Sequence, residues 1–500
     1  MTAGAVPQGR PHGGAMPAFV DLTGRLRVKR VAMVGAIAAA MLVYANALAN
    51  GFVLDDGGVI VRNPLVTSPA SAWTAFALPY WPEAIGGGQY RPLGILSFAF
   101  DWVVSGGDAR WFHAVNVLWH ALATLMVWLL AAELLAPVAA GIAALLFAVH
   151  PVHVEAISNV VGRLEPMGTV FAIAALLAHR RSSWMAVPFF ALGLLSKESA
   201  IVFLALAAAN DFVLERDWRA SLRLRRQMYA AYGAVTAAYA VVLLAVFHAR
   251  EMTAPARVFA GTTFGSRLEL VARVIPHYAR LLIAPADLSA SYAPNVISPS
   301  PGLSAMTLLG VVIAVLLGVA VVVLLRRARW AVLAFAILWV PIALAPVSNV
   351  IFASGVLLAE RTLYLASVGI CLAAGAVAER YLFTRSAMVA AATASVVVAF
   401  GVRTWTRTPV WHDDRTYLLA LLTDHPESYE AHLAAGRVLR GANALDEAER
   451  EFVIARRLFP RDSVVYREAA NVAERQQRAA AAIALLDSAR IARTLPLPRK

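Results

Sequence analysis

Residues 31–50, VAMVGAIAAAMLVYANALAN, run for twenty positions without a charge. At ~1.5 Å per residue such a helix covers about 30 Å, the thickness of a bilayer's hydrocarbon core. No other feature restricts the chain as strongly, because in lipid every backbone amide must be satisfied internally. Further apolar runs follow at about 113–134, 137–150, 164–179, 184–196, 199–214, 228–248, 303–325, 331–348, 361–378 and 386–402, which makes eleven candidate spans. The chain is 60% hydrophobic and 15% charged, against roughly 25% charged in ordinary globular domains. Its net charge of +13 does not point to nucleic acid, since DNA-binding chains lack repeated apolar runs of this length. Arginine retained at the cytoplasmic ends of spans accounts for it. A single cysteine, Cys371, excludes an intrachain disulfide and any cysteine-based metal site.

Arg25, Arg27, Lys29 and Arg30 precede the first run, which places the N-terminus in the cytoplasm. Ala47-Leu48-Ala49 resembles a signal-peptidase site, but the segment reads as an uncleaved anchor. Residues 1–30 read as a disordered cytoplasmic tail, Gly- and Pro-rich at its start. Alternating the spans then puts four basic clusters inside: His179-Arg180-Arg181, the five arginines between Glu215 and Arg226, Arg326-Arg327-Arg329, and Glu379-Arg380 with Arg385. The short runs at 137–150 and 184–196 also suit broken or re-entrant helices. The membrane region is expected over 31–404, with outer loops at 51–112 and 249–302. Within the second loop, 264–284 is expected to lie in the interface, with Arg267, Arg273, His277 and Arg280 toward headgroups.

From about residue 405 the character changes. Residues 429–462 fit a 34-residue tetratricopeptide repeat, with Gly436, Ala448, Phe452, Ala455 and Pro460 at its eighth, twentieth, twenty-fourth, twenty-seventh and thirty-second places. Small residues let two helices approach, the aromatic fills the groove between them, and proline ends the second helix. Residues 463–496 repeat the pattern loosely and 412–426 resemble a lone second helix. A generic pair of helical hairpins is the alternative. With eleven spans, 405–500 lies outside the membrane, on the side of the acidic loops.

That side gathers the chemistry. Ionisable groups at membrane depth cost at least ~2.5–3.5 kcal/mol and are functional hypotheses by default. Asp55-Asp56 directly follow the first span and can supply a general base; the alternative is a turn-capping loop start. His150, His153 and Glu155 contain metal-ligand residue types, but on a helix Glu155 turns roughly 200° from His153 and no His-Glu-x-x-His spacing occurs. Hydrogen bonding to an anionic headgroup or sugar is the preferred reading, a packed His pair the alternative, and no metal is expected. Arg163 with Glu165, Lys197 with Glu198, and Glu360 with Arg361 are charge pairs near span ends. Together with Tyr90-Arg91 they offer cations that clamp a phosphate; singly, each is only a local ion pair.

The ordered strings FVLDD, QYRPLGILSFAFDW, FHAVNVLWHAL, LFAVHPVHVEAISNVVGRLEP, LSKESAI, RLLIAPADLSASYAPNVI, LLAERTLYLASVG and TPVWHDD, followed by repeats, resemble the transmembrane and tetratricopeptide repeat-containing O-mannosyltransferases and their bacterial relatives. The resemblance covers about residues 31–500. It implies an all-α membrane bundle of the C-type glycosyltransferase (GT-C) class with a short C-terminal TPR solenoid, in a bacterial inner membrane. It also implies an extracytoplasmic site, a polyprenyl-phosphate-linked sugar as co-substrate without a further cofactor, and a protein or glycan acceptor. The family's acidic base in the first outer loop is matched by Asp55 and Asp56. Around the donor phosphate and sugar the expected residues are Tyr90, Arg91, His150, His153, Glu155, Arg163, Glu165, Lys197, Glu198, Glu360 and Arg361. Only about two and a half repeats are present, fewer than in animal members, and a protein partner at their groove is a further expectation. Two rival classes remain. A transporter or flippase would need ionisable residues at mid-span and an internal repeat of helices. A non-catalytic scaffold would tolerate changes in the acidic loop.

Overall fold

The computed structural model describes residues 18–82, 88–247, 259, 262–292, 296–297, 303–351, 354–382 and 384–494. Among these every regular element is helical. Eight helices are long and apolar enough to cross a membrane, and a ninth crossing results if the bent pair Pro137–Ala148 and Pro151–Ser158 counts as one. The chain is thus a multi-pass membrane protein with fewer full-length spans than the eleven apolar runs suggested. The difference lies at 184–196 and 199–214. There the helices Ala186–Ser196 and Phe203–Leu214 hold 11 and 12 residues, about 17 Å each. Lys197, extended at φ −157° and ψ 130°, separates the first from a 3-10 turn over Glu198–Val202.

The 45° bend between Pro137–Ala148 and Pro151–Ser158 has a local cause. Proline forces the preceding residue out of the helical region, and His150 sits at φ −67°, ψ 122° while its ring accepts from the Val152 amide. The first helix runs Ala18–Val43, so residues 18–30 extend the span instead of forming an irregular tail. The stretch has Leu, Arg and Lys but no proline, and a helix already nucleated in the membrane propagates through it. Residues 1–17 lie outside the described residues.

Two networks mark the two ends of the bundle. At one end Asp211 accepts from His179 Nε2 (3.1 Å) and the Tyr229 hydroxyl (2.8 Å) and pairs with Arg225, while Glu133 holds Arg180 and Arg181. At the other end the 51–112 segment builds its own core from Val59, Ile60, Val66, Phe98 and Phe112, with Leu164 packed among them. The helix Phe264–Ile283 packs on Ala305–Leu325, and a Cβ on Gly310 would run into the Ala272 carbonyl. This packing turns Arg273 inward, toward Thr307 (3.4 Å) and Glu269 (3.1 Å). Arg280 pairs with Asp287 and Arg267 donates to the Val350 carbonyl. Of the four residues expected toward headgroups, Arg273 is thus buried, while Arg267, His277 and Arg280 stay partly exposed.

Beyond the last span come five helices: Asp414–Asp424, Tyr429–Gly441, Leu445–Leu458, Ser463–Arg475 and Ala479–Ile491. Three-residue turns force the second and third, and the fourth and fifth, into antiparallel hairpins. Gly436 faces the Phe452 ring so closely that a Cβ would overlap it. Burying Phe452 completely stabilises the pair by about 1.5–3 kcal/mol. This region docks on the end that carries the 51–112 segment: the Gly51 amide donates to the His412 carbonyl (2.8 Å) and the Leu54 amide to Asp414 Oδ1 (2.9 Å).

Candidate active site

Asp55 and Asp56 are adjacent but do different things. Asp56 is fully buried. Its Oδ2 accepts from the amides of Val53 (3.0 Å) and Val160 (3.4 Å), and its Oδ1 from Val161 (2.9 Å). Both oxygens are thereby committed to joining the loop after the first span to the 160–163 turn. Burial pushes its carboxyl up to about 7 against the pull of those amides. Asp55 instead opens onto a cleft of about 80 Å³ with Tyr80, Trp81, Gln89, Arg91, Asn159, Val161, Gly162, Glu165, Lys197 and Arg361. Its carboxyl is reached by solvent, yet crowding raises it above the ordinary value, Glu155 adding to this and Arg361 and Arg91 opposing it.

The cations of the cleft are each held from behind. Arg91 grips Glu198 bidentately, Nε to Oε2 at 2.8 Å and Nη2 to Oε1 at 2.5 Å, and lies over the Tyr80 ring at 5.2 Å. Burial would raise the Glu198 carboxyl, but Arg91 outweighs it and holds the value at about 2. Lys197 pairs with Glu165; burial lowers its ammonium despite that partner. Arg361 pairs with Glu155, which also accepts its backbone amide at 2.8 Å. Three cations and two carboxylates, Asp55 and Glu165, thus line one small cleft. Asn159 lines it too, and its buried Oδ1 has no hydrogen-bond partner among the described residues.

Other expected residues lie elsewhere. Arg163 forms no pair with Glu165; it is wholly buried against Asp101 (2.5 Å), Ser97 (2.8 Å), Asn116 (2.7 Å) and the Phe112 carbonyl (2.9 Å). The 3-10 turn Val160–Arg163 ends between the two residues, so their side chains leave in different directions. Glu360 does not pair with Arg361; its Oε1 accepts from the Ser289 amide (2.7 Å) and the Tyr292 hydroxyl (2.6 Å). His150 Nε2 donates to the Leu282 carbonyl (3.1 Å) while its Nδ1 accepts from Val152, and His153 meets Ser367 Oγ (2.8 Å) between the rings of Phe147 and Tyr364. Both rings are buried, so the packed-pair alternative describes them and the headgroup contact does not form. The Tyr90 hydroxyl donates to the Phe76 carbonyl (2.9 Å).

Tyr90 also faces a second, apolar cavity of about 680 Å³, walled by Leu194, Ile201, Leu243, Phe247, Pro341 and Ile342 among others. Gln89 lines both spaces, and the Arg91–Glu198 pair bridges them, Arg91 in the cleft and Glu198 in the groove. Sequence reasoning missed this groove, along with Tyr80, Trp81, Gln89, Asn159 and the Asp101 partner of Arg163. Gln89, Asp101 and Asn159 do stand inside the strings quoted above. Among the described residues no group of three or more His, Cys, Asp or Glu side chains is arranged to hold a metal ion.

The family described as dolichyl-phosphate-mannose-protein mannosyltransferase matches residues 103–248. A protein O-mannosyl-transferase of Caenorhabditis elegans is 26% identical over 439 residues, covering 85% of this chain and 62% of that protein. One from Homo sapiens is 22% identical over 496 residues, covering 83% and 54%. Protein O-mannosyl-transferase Tmtc2 of Drosophila melanogaster is 32% identical over 291 residues, covering 53% and 30%. The chain therefore spans 62% or less of the length of these curated relatives. No solved structure matches.

Proposed function

We propose that this chain, which belongs to the transmembrane and tetratricopeptide repeat-containing O-mannosyltransferase family, transfers mannose or a similar hexose from a polyprenyl phosphate to an acceptor hydroxyl. One observation carries the reading: a cleft holding one available carboxylate and three cations adjoins an apolar cavity of about 680 Å³. A lipid-phosphate sugar has both halves of that shape. Its isoprenoid chain suits the wall of Leu194, Leu243 and Pro341, and its phosphate suits Arg91, Lys197 and Arg361.

In this mechanism Asp55 takes the proton of the acceptor hydroxyl as its oxygen attacks the anomeric carbon. The bond from that carbon to the phosphate oxygen breaks with inversion, and the lipid phosphate leaves with its charge stabilised by the three cations. Glu198, Glu165 and Glu155 keep those cations in place, and Asp56 holds the loop. We place the cleft and the 405–500 helices outside the cytoplasm and the N-terminus inside, because the arginine clusters collect at the opposite end. The acceptor is a protein or glycan hydroxyl.

The test is purified full-length protein supplied with a panel of polyprenyl-phosphate sugars, scoring released lipid phosphate. A positioned base contributes typically 10²–10⁴-fold, so Asp55→Asn should lose about that much turnover while retaining donor binding. Undiminished turnover in Asp55→Asn would remove the assignment. Cysteines at Ser68, Ser221 and Glu427, introduced after Cys371→Ala, report the sidedness: only the one at Ser221 should be labelled from the cytoplasm.

A further inference from the structure

A third cavity, of about 410 Å³, lies at the end of the bundle opposite the acidic cleft. It is formed where three membrane helices end or begin: Leu134 and Leu135, the turn from Arg329 to Leu333, and the segment from Ala376 to Arg380. Its lining is divided. Leu134, Leu135, Val332 and Leu333 make an apolar wall, and Arg329 and Arg380 stand at its edge. Three other arginines at this end are occupied, Arg180 and Arg181 by Glu133 and Arg225 by Asp211 and Glu215. Arg329 and Arg380 are exposed, and neither has a carboxylate within ion-pair distance among the described residues. Arg329 is steadied over the Trp330 ring at 5.6 Å, the aromatic type that settles at a membrane boundary. Of the Glu379 carboxylate, Oε1 accepts from the Ala136 amide at 3.1 Å, and Oε2 is left to accept from another donor.

We infer that this cavity seats an anionic glycerophospholipid whose headgroup carries hydroxyls, as phosphatidylglycerol does. The phosphate lies between Arg329 and Arg380, a headgroup hydroxyl reaches Glu379, and the acyl chains follow the leucine and valine wall. The divided lining selects an amphiphile: a free phosphate would leave the apolar wall empty, and a choline headgroup has no hydroxyl to donate to Glu379 and no net negative charge to match the two guanidiniums. Basic pockets between membrane helices recognise anionic headgroups on these terms. The inference does not depend on the proposed transferase activity, because the cavity shares no residue with the acidic cleft or the apolar groove.

The test is native mass spectrometry of the purified full chain titrated with phosphatidylglycerol, phosphatidylcholine or inorganic phosphate. Wild type should retain one phosphatidylglycerol in preference to phosphatidylcholine. Arg329→Gln with Arg380→Gln should weaken that binding roughly thirtyfold, with helix content matched by circular dichroism. Arg326→Gln with Arg327→Gln alters exposed cations at the same end that do not line the cavity and should change it less than about threefold. Equal retention of the two lipids, an equal loss in the control pair, or displacement of the lipid by inorganic phosphate would each overturn the assignment.

Discussion

Removal of the Asp414 carboxylate should slow turnover without touching the cleft directly. Leu54, immediately before Asp55, has a φ of +53°, a left-handed conformation that costs a non-glycine residue about 1–2 kcal/mol. Its amide donates to Asp414 Oδ1 at 2.9 Å, and a hydrogen bond to a charged group contributes about 1.5–3 kcal/mol. Leu54 is exposed, so the lower end applies and the two terms are of similar size. Asp414→Ala removes the term that holds Leu54 in place, and the loop relaxes toward ordinary backbone angles. A displacement of about 1 Å at a reacting group can cost 10²-fold. We expect a tenfold to hundredfold fall in kcat with little change in donor KM, measured as released lipid phosphate. Asp414→Asn keeps an acceptor oxygen and should stay within about threefold of wild type. Hydrogen exchange over residues 51–57 gives a readout independent of turnover and should quicken only in the Ala variant. Wild-type kcat together with unchanged exchange in Asp414→Ala would refute the reasoning.

Four further outcomes are expected. The Asp56 carboxyl, raised from 3.8 to about 7 on folding, binds its proton more readily in the native state; stability should therefore fall as pH rises from about 4 to about 7, and melting curves of Asp56→Asn should lack that slope. In the proposed mechanism Asp55 acts ionised, and since burial raises its value, kcat should climb with pH through a midpoint above the usual 3.8 of an aspartate, as a pH–rate profile would reveal. Arg163→Ala strands a buried Asp101 and should destabilise by about 3–5 kcal/mol, visible as loss of monodisperse protein, whereas Arg91→Ala should fold and bind donor weakly. Gly436→Val drives a branched side chain into Phe452 and should cost about 1–3 kcal/mol, read as faster limited proteolysis between 429 and 475.

Charge and hydropathy made the membrane class legible, and the ordered strings carried the family. Cleft membership was legible for Asp55, Arg91, Glu165, Lys197 and Arg361, because ionisable residues beside apolar spans are few. Direction was not legible. Neighbours in sequence suggested Arg163 with Glu165 and Glu360 with Arg361, but a 3-10 turn that holds one or both residues of each pair sends them apart, and the actual partners are 32 to 206 positions distant (Lys197 with Glu165, Arg361 with Glu155). The His150 and His153 rings fill a core that only the bend at Pro151 creates. The apolar groove was invisible because its wall uses the same leucines and valines as any span.

The triple use of Asp56 by Val53, Val160 and Val161 has a mechanical corollary. It fuses the loop that carries Asp55 to the start of the Val160–Arg180 span, so that wall of the cleft cannot swing on its own. The opposite side is tied to the same span, because Lys197, which separates two helical segments, pairs with Glu165 on it. Two facing sides of the cleft thus take their alignment from one helix, and in the proposed transfer a shift of that helix would carry carboxylate and ammonium together.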